Sequence, residues 1–361
     1  MNKIKSVIIM SILLASIFIV LSPVSAATYH VYPGDDIRAI IQGATSGDTI
    51  YVHAGTYNIV NTISIPADHI TIIGDDPLTT ILDASGISGG DVITTSGHNY
   101  LIIRNITVQN NPDDDGIEVE EYCEVTNCII KNCDDGIVYD TEGHHNTIQN
   151  CIVSNCRDDG IQVYDYNTIE NCISFGNGED GFDMGENSTI KNCLAYDNDE
   201  SGFYDGEDCT YINCTAANNG DDGFYSDDGG AKIINCIAVG NNKDGFDIQP
   251  DGSEILYSNA WNNTGNNYDE APAGTGSISV DPFFMKGPLG DFYLFKSSPC
   301  VNKGSDSAIN LGLSTGFTTN VKGAFDTGTV DMGYHYSSNG GSDSSLPIAK
   351  ILEILKGNQE G

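Results

Sequence analysis

A dipeptide returning at one interval decides what this chain can fold into. From Asp113 to Asp247 an Asp-Gly corner recurs, with glycines at Gly116, Gly136, Gly160, Gly181, Gly202, Gly223 and Gly245 separated by 20, 24, 21, 21, 21 and 22 residues; Ser201 replaces Asp before Gly202. Asn-Cys pairs keep step, with cysteines at Cys128, Cys151, Cys172, Cys193, Cys214 and Cys236. Two motifs advancing together require a stack of like units, each burying its apolar side against its neighbours. Each repeat holds three short apolar clusters, such as Gly181-Phe182-Asp183-Met184, Thr189-Ile190 and Cys193-Leu194-Ala195. They are too short for helices, so the unit is a coil of three short strands and the class is all-β.

The residue after each glycine is Ile117, Ile137, Ile161, Phe182, Phe203, Phe224 or Phe246, a column that must face inward. By strand alternation the next column faces outward: Glu118, Val138, Gln162, Asp183, Tyr204, Tyr225 and Asp247. The Asn before each Cys is expected to form a ladder at a bend, which makes Asn213 a poor glycosylation acceptor; Asn105, Asn187 and Asn262 are the better sequons.

Residues 1–26 have the pattern of a secretory leader: Lys3 and Lys5, an apolar run from Val7 to Leu21, and Val24-Ser25-Ala26 as a small-residue cleavage site. No other segment is suited to a membrane span, so the expected location is secreted or cell-surface. Residues 27–110 are expected to form an N-terminal cap, with a short helix over Asp35 to Ile41, and the first irregular coils. Residues 111–262 are the regular coils and 263–336 the closing coils and cap. A Ser/Gly linker over 337–347 and an amphipathic helix with a tail over 348–361 follow.

With 15 Lys+Arg against 51 Asp+Glu, a net charge of -36 excludes a general binder of nucleic acid or anionic membrane, because neutralising phosphate needs basic side chains. Divalent cations fit that surface better. Stacked cysteines in one column point the same way and do not reach disulfide torsions readily, so buried thiols are expected there. Cys133 and Cys156, ahead of successive corners, are the better disulfide candidates.

The Asp-Gly-Phe/Ile and Asn-Cys coils, the opening Asp48-Thr49-Ile50-Tyr51-Val52-His53-Ala54-Gly55 and the ending Val330-Asp331-Met332-Gly333-Tyr334 resemble secreted right-handed parallel β-helix proteins of the pectate-lyase-like superfamily. The resemblance covers residues 28–336. It implies a right-handed parallel β-helix and is compatible with lyases, hydrolases, esterases, epimerases and adhesins. Within it, Gly178-Glu179-Asp180-Gly181-Phe182-Asp183 is similar to the acidic motif of family 9 pectate lyases, which implies Glu179, Asp180 and Asp183 as calcium ligands with Asp159 one rung earlier. That family's basic Lys has no counterpart in the following rung, which reads Glu200-Ser201. Lys243 stands in the acidic column three rungs on, roughly 14 Å away. A second candidate site is therefore Asp221, Asp222 and Asp244 with Lys243 as catalytic base.

β-Elimination on a uronate polymer needs a cation to acidify the proton α to a carboxylate and a base to take it. Calcium takes six to eight oxygens, which a column of carboxylates supplies. Tyr204, Tyr225 and Asp247 are the candidate substrate-binding residues. The bland readings stand beside these: Asp before Gly is ordinary turn chemistry, Lys243 relieves its acidic neighbours, Arg157 pairs with Asp158, and His144-His145 is a loop. Two readings stay open, a calcium-dependent lyase acting on acidic polysaccharide, and a non-catalytic envelope or adhesion rod that binds a cell-envelope glycan or calcium.

Overall fold

The computed structural model describes residues 26–337 apart from Ser96 and residues 140–142. The expected leader up to residue 25, nearly all of the expected linker and the expected C-terminal helix lie outside the described residues.

Each coil gives one short strand to each of three parallel sheets, of eleven, ten and ten strands. One coil shows the plan: Phe182–Met184 in sheet 3, Thr189–Lys191 in sheet 1 and Leu194–Tyr196 in sheet 2. Registers repeat without slip through the middle coils, so Ile161, Phe182, Phe203, Phe224 and Phe246 pair in line. All five side chains are at most 1% exposed, and the phenylalanine rings stack at 4.9, 4.7 and 5.0 Å. The inward column is as the alternation predicts. Unlike a globular core, this one is a line of like side chains, each touching its equivalent one rung away.

The Asn residues before the cysteines, with Asn105 before Ile106 at the same place one coil earlier, turn the chain from sheet 1 into sheet 2. Asn105, Asn127, Asn150, Asn171, Asn192, Asn213 and Asn235 all have φ between 51° and 60°, the left-handed region that asparagine tolerates better than most residues. The expected ladder forms: Asn127 Nδ2 donates to Asn105 Oδ1 at 3.3 Å, Asn192 to Asn171 at 2.9 Å and Asn235 to Asn213 at 3.2 Å. Asn213 is fully buried, as its ladder position requires.

Eleven cysteines are free and buried. Those of the Asn-Cys column donate to carbonyls one rung back, for example Cys151 to Val125 at 3.5 Å and Cys193 to Ile169 at 3.7 Å. Cys133 and Cys156, the better disulfide candidates, are not bridged. These two occupy successive rungs of a column that continues with asparagines, the Cys156 N–H donating to Asn177 Oδ1 at 3.1 Å; parallel side chains in register do not present their sulfurs to each other.

At the first coil, helix α1 (Ile37–Gln42) starts at Asp36, whose carboxylate accepts the Ala39 N–H at 3.0 Å, and buries Ile37 and Ile41. At the other end the segment Asp331–Tyr336 runs back along the solenoid. Asn213 Nδ2 donates to Asp331 O at 2.8 Å, and Asn192 exchanges two hydrogen bonds with the His335 backbone. Tyr334 and Tyr336 thereby cover the outward Ile152, Ile173 and Leu194 of sheet 2.

Candidate functional site

Sheet 3 ends each coil corner with a carboxylate that closes the turn on the next. Asp115 Oδ1 accepts the Asp135 N–H, Asp135 Oδ1 the Asp159 N–H, Asp159 Oδ1 the Asp180 N–H and Asp180 Oδ1 the Ser201 N–H, at 2.6–3.0 Å. Asp222 and Asp244 continue the series, Asp222 Oδ1 taking the Asp244 N–H at 2.7 Å. One oxygen of each carboxylate is committed to the backbone. The second is what remains for chemistry.

Stacked carboxylates removed from water hold their protons. Burial, with neighbouring acids adding to it, pushes Asp159 up to about 8 and Asp180 and Asp135 up to about 7. Around Asp159 the outward Gln162 closes the remaining gap, its Nε2 donating to Asp159 Oδ2 at 2.9 Å and Asp183 Oδ2 at 3.0 Å. A neutral amide thus lies between the two carboxylates expected to share a cation, and Glu179 is exposed at the rim. Among the described residues, Asp159, Glu179, Asp180 and Asp183 do not form a group with ligand atoms within 4.8 Å of one another.

Three rungs on, the geometry differs. Asp222, Asp244 and Asp247 bring one carboxylate oxygen each to within 4.8 Å of the others. Asp222 is 0% exposed. Lys243 Nζ lies 2.7 Å from Asp222 Oδ2, 3.5 Å from Asp221 and 4.0 Å from Asp247, and 5.5 Å from the centroid of Tyr225. The hydrogen bond to Asp222 holds the Lys243 pKa well above its usual value. Burial pushes Asp222 upward against the opposing pull of Lys243, and the proton of the pair belongs on the lysine. Asp247 is pushed up to about 6, first by burial and then by Asp222. Tyr204 and Tyr225 stack at 5.2 Å on the same outward column, so each covers one face of the other.

Sequence reasoning named both acidic groups, and the structure gathers the second more tightly than the first. It counted Asp221 with Asp222 and Asp244; Asp247, expected on the substrate side, takes the third place in the cluster, and the Asp221 carboxylate lies outside it, 3.5 Å from Lys243 Nζ. Arg157 has its nearest partner one rung back, with Nε 2.7 Å from Asp134 against 3.6 Å from Asp158. Two further columns escaped notice. An amide ladder joins the buried Asn177, Asn198, Asn219 and Asn241 and ends on the half-buried Asn263, at 2.9–3.0 Å per step; their 21- and 22-residue spacing was the available signal. His69, Tyr100, Tyr122, His145 and Tyr166 stack at 4.7–5.3 Å, all with φ near 60°. His145 is thus part of a ring column and His144 packs edge-on against Tyr164.

The donor chemistry of the Asp222 cluster is that of a hard cation, all oxygen and anionic, and its residues fit calcium by ligand type and spacing. Lys243 is the element that such an ion would compete with. A solenoid whose coils build three parallel sheets defines a class, that of the parallel β-helix proteins. Within that class the chain belongs to the family described as right handed beta helix region, whose model matches residues 38–168, 69–204 and 182–267. Among solved structures it is similar to pectate lyase Pel9A, with 15% identity and a TM-score of 0.58 over 86% of this chain and 98% of that one. It is also similar to the A-module of the Azotobacter vinelandii mannuronan C-5 epimerase AlgE6, with 16% identity and a TM-score of 0.53 over 64% of this chain and 73% of that one. Likeness at these identities is likeness of fold. No curated protein matches the sequence. Among the described residues no helix is long and apolar enough to cross a membrane.

Proposed function

We propose that this is an exported protein acting on an acidic polysaccharide laid along sheet 3, as a calcium-dependent lyase working by β-elimination. The observation that carries the reading is the convergence of Asp222, Asp244 and Asp247 within 4.8 Å, beside the one lysine of the acidic column. The two named neighbours are a lyase of pectate and an epimerase of mannuronan, which agrees with an acidic glycan. Asp222, Asp244 and Asp247 would hold the ion. Calcium, when bound, supplies the positive charge that acidifies the proton α to a uronate carboxylate and offsets the charge of Asp222.

Lys243 is the base in this reading. Its head group is half in water, between the acidic cluster and the Tyr225 ring, where a bound sugar meets it. Paired with Asp222 it is an acid, so its basicity depends on how much of the Asp222 charge is engaged elsewhere. Tyr204 and Tyr225 offer ring edges and hydroxyls along the same line. Incubation with polygalacturonate, alginate and glycosaminoglycans, with calcium or with chelator, tests the reading through the absorbance of the unsaturated product. Product on one uronate in calcium alone is expected, with activity reduced at least tenfold in Lys243→Ala. No product on any of them rules out the lyase.

A second reading rests on the Asp222–Lys243 pair at 2.7 Å and the commitment of every corner carboxylate to a backbone N–H. Both are what a rigid, non-catalytic rod on the cell envelope needs, binding glycan without cleaving it. Saturable binding of the same polymers without product would select it.

A further inference from the structure

Ala27 is tied into the first coil at both of its backbone groups. Its carbonyl accepts the Thr49 N–H at 2.8 Å and its own N–H donates to Asp48 Oδ1 at 2.7 Å. Asp48 is 1% exposed. Its second oxygen accepts the Thr45 N–H at 2.8 Å and the Thr45 hydroxyl at 3.0 Å. These hydrogen bonds, the one from Ala27 first, hold the Asp48 carboxyl below its usual range. Among the described residues the groups acting on it are Ala27 and Thr45, neither of which brings a positive charge. A buried carboxylate held by neutral donors alone is short of a counter-charge.

The sequence supplies one at this atom. Val24-Ser25-Ala26 follows the apolar run from Val7 to Leu21, and cleavage of such a leader falls after the last small residue. We propose that the Ala26–Ala27 bond is the processing site and that the α-ammonium it frees on Ala27 pairs with Asp48, so that removal of the leader completes the first coil. The proposal rests on the export reading. Hydrolysis by a leader peptidase consumes one water, leaves a carboxylate on Ala26 and converts the Ala27 amide nitrogen to an ammonium. The hydrogen bond already present at 2.7 Å then becomes charge-assisted and shortens the list of uncompensated charges in the coil by one. Ala26 is exposed, as a bond that a peptidase must reach requires.

Two measurements decide it. The full chain is expressed with its leader, and the protein in the medium is sequenced from its N-terminus; Ala27 is expected first, and any other first residue, or failure of export, overturns the processing step. Separately, protein beginning at Ala27 is compared with the same protein carrying one glycine ahead of Ala27. The extended form is expected to melt about 2 °C or more lower, and Asp48→Asn should abolish that difference. Equal melting temperatures overturn the pairing whatever the export result. The glycine extension changes no side chain, so it decides the matter even where Asp48→Asn does not fold.

Discussion

Asp159 carries a proton that an exposed carboxylate sheds well below neutrality, and it shares this with Asp180 and Asp135. The folded-state pKa values lie above the unfolded value of about 3.9. The folded chain therefore binds more protons between roughly pH 4 and pH 8, and stability must fall as pH rises through that window and then level off. In chelator, the melting temperature should be highest near pH 5 and decline toward pH 8. Asp159→Asn, which keeps the Gln162 contact region polar and removes one titration, should make the decline shallower; an unchanged slope would show that Asp159 is ionised throughout. Lys243 is raised too, by its hydrogen bond to Asp222, so its contribution has the same sign: it stabilises while protonated and is lost only as pH rises through a folded-state value far above neutrality. Lys243→Met leaves Asp222, fully buried, without its partner, and should lower the melting temperature more at pH 8 than at pH 5.

At the scale of elements the coil is held by columns, and each column repeats one hydrogen bond. The ladder of Asn177, Asn198, Asn219, Asn241 and Asn263 is interior up to Asn241, and Asn198, Asn219 and Asn241 each donate both to the next Asn and to a backbone carbonyl, as Asn198 does to Ser174 O at 3.4 Å. Asn198→Leu strands the Asn177 and Asn219 groups and should cost about 1–3 kcal/mol in denaturant unfolding, whereas Asn242→Ala, exposed and outside the left-handed region, should cost less than about 1 kcal/mol. Equal effects would mean that the ladder is incidental. The Asn-Cys ladder was legible because its two residue types recur as a pair. The interior Asn ladder was not, since Cys133 and Cys156 stand between Asn111 and Asn177 and the column changes identity partway. The ring column from His69 to Tyr166 was hidden for another reason: bulky residues are poor candidates for a left-handed corner.

Across the whole molecule the period of about 21 residues was enough to give the three sheets, the inward phenylalanines and the outward acids, because in a solenoid one repeat's solution is every repeat's solution. It was not enough to separate Asp159–Asp183 from Asp222–Asp247. Both carry the same motif, and the difference lies in Gln162 bridging the one and in Asp247 turning toward Asp222 and Asp244 in the other. The solenoid should also carry its cysteines as thiols. Titration in denaturant should give eleven free thiols without reductant and almost none in the folded protein, and fewer than eleven would indicate a bridge. The site on sheet 3 is tested most directly by calorimetric titration of the protein with calcium at pH 7.5. One specific site is expected, lost in Asp244→Asn and in Asp247→Asn and kept in Asp183→Asn; no calcium binding, or binding that Asp183→Asn removes and Asp247→Asn leaves intact, would contradict it.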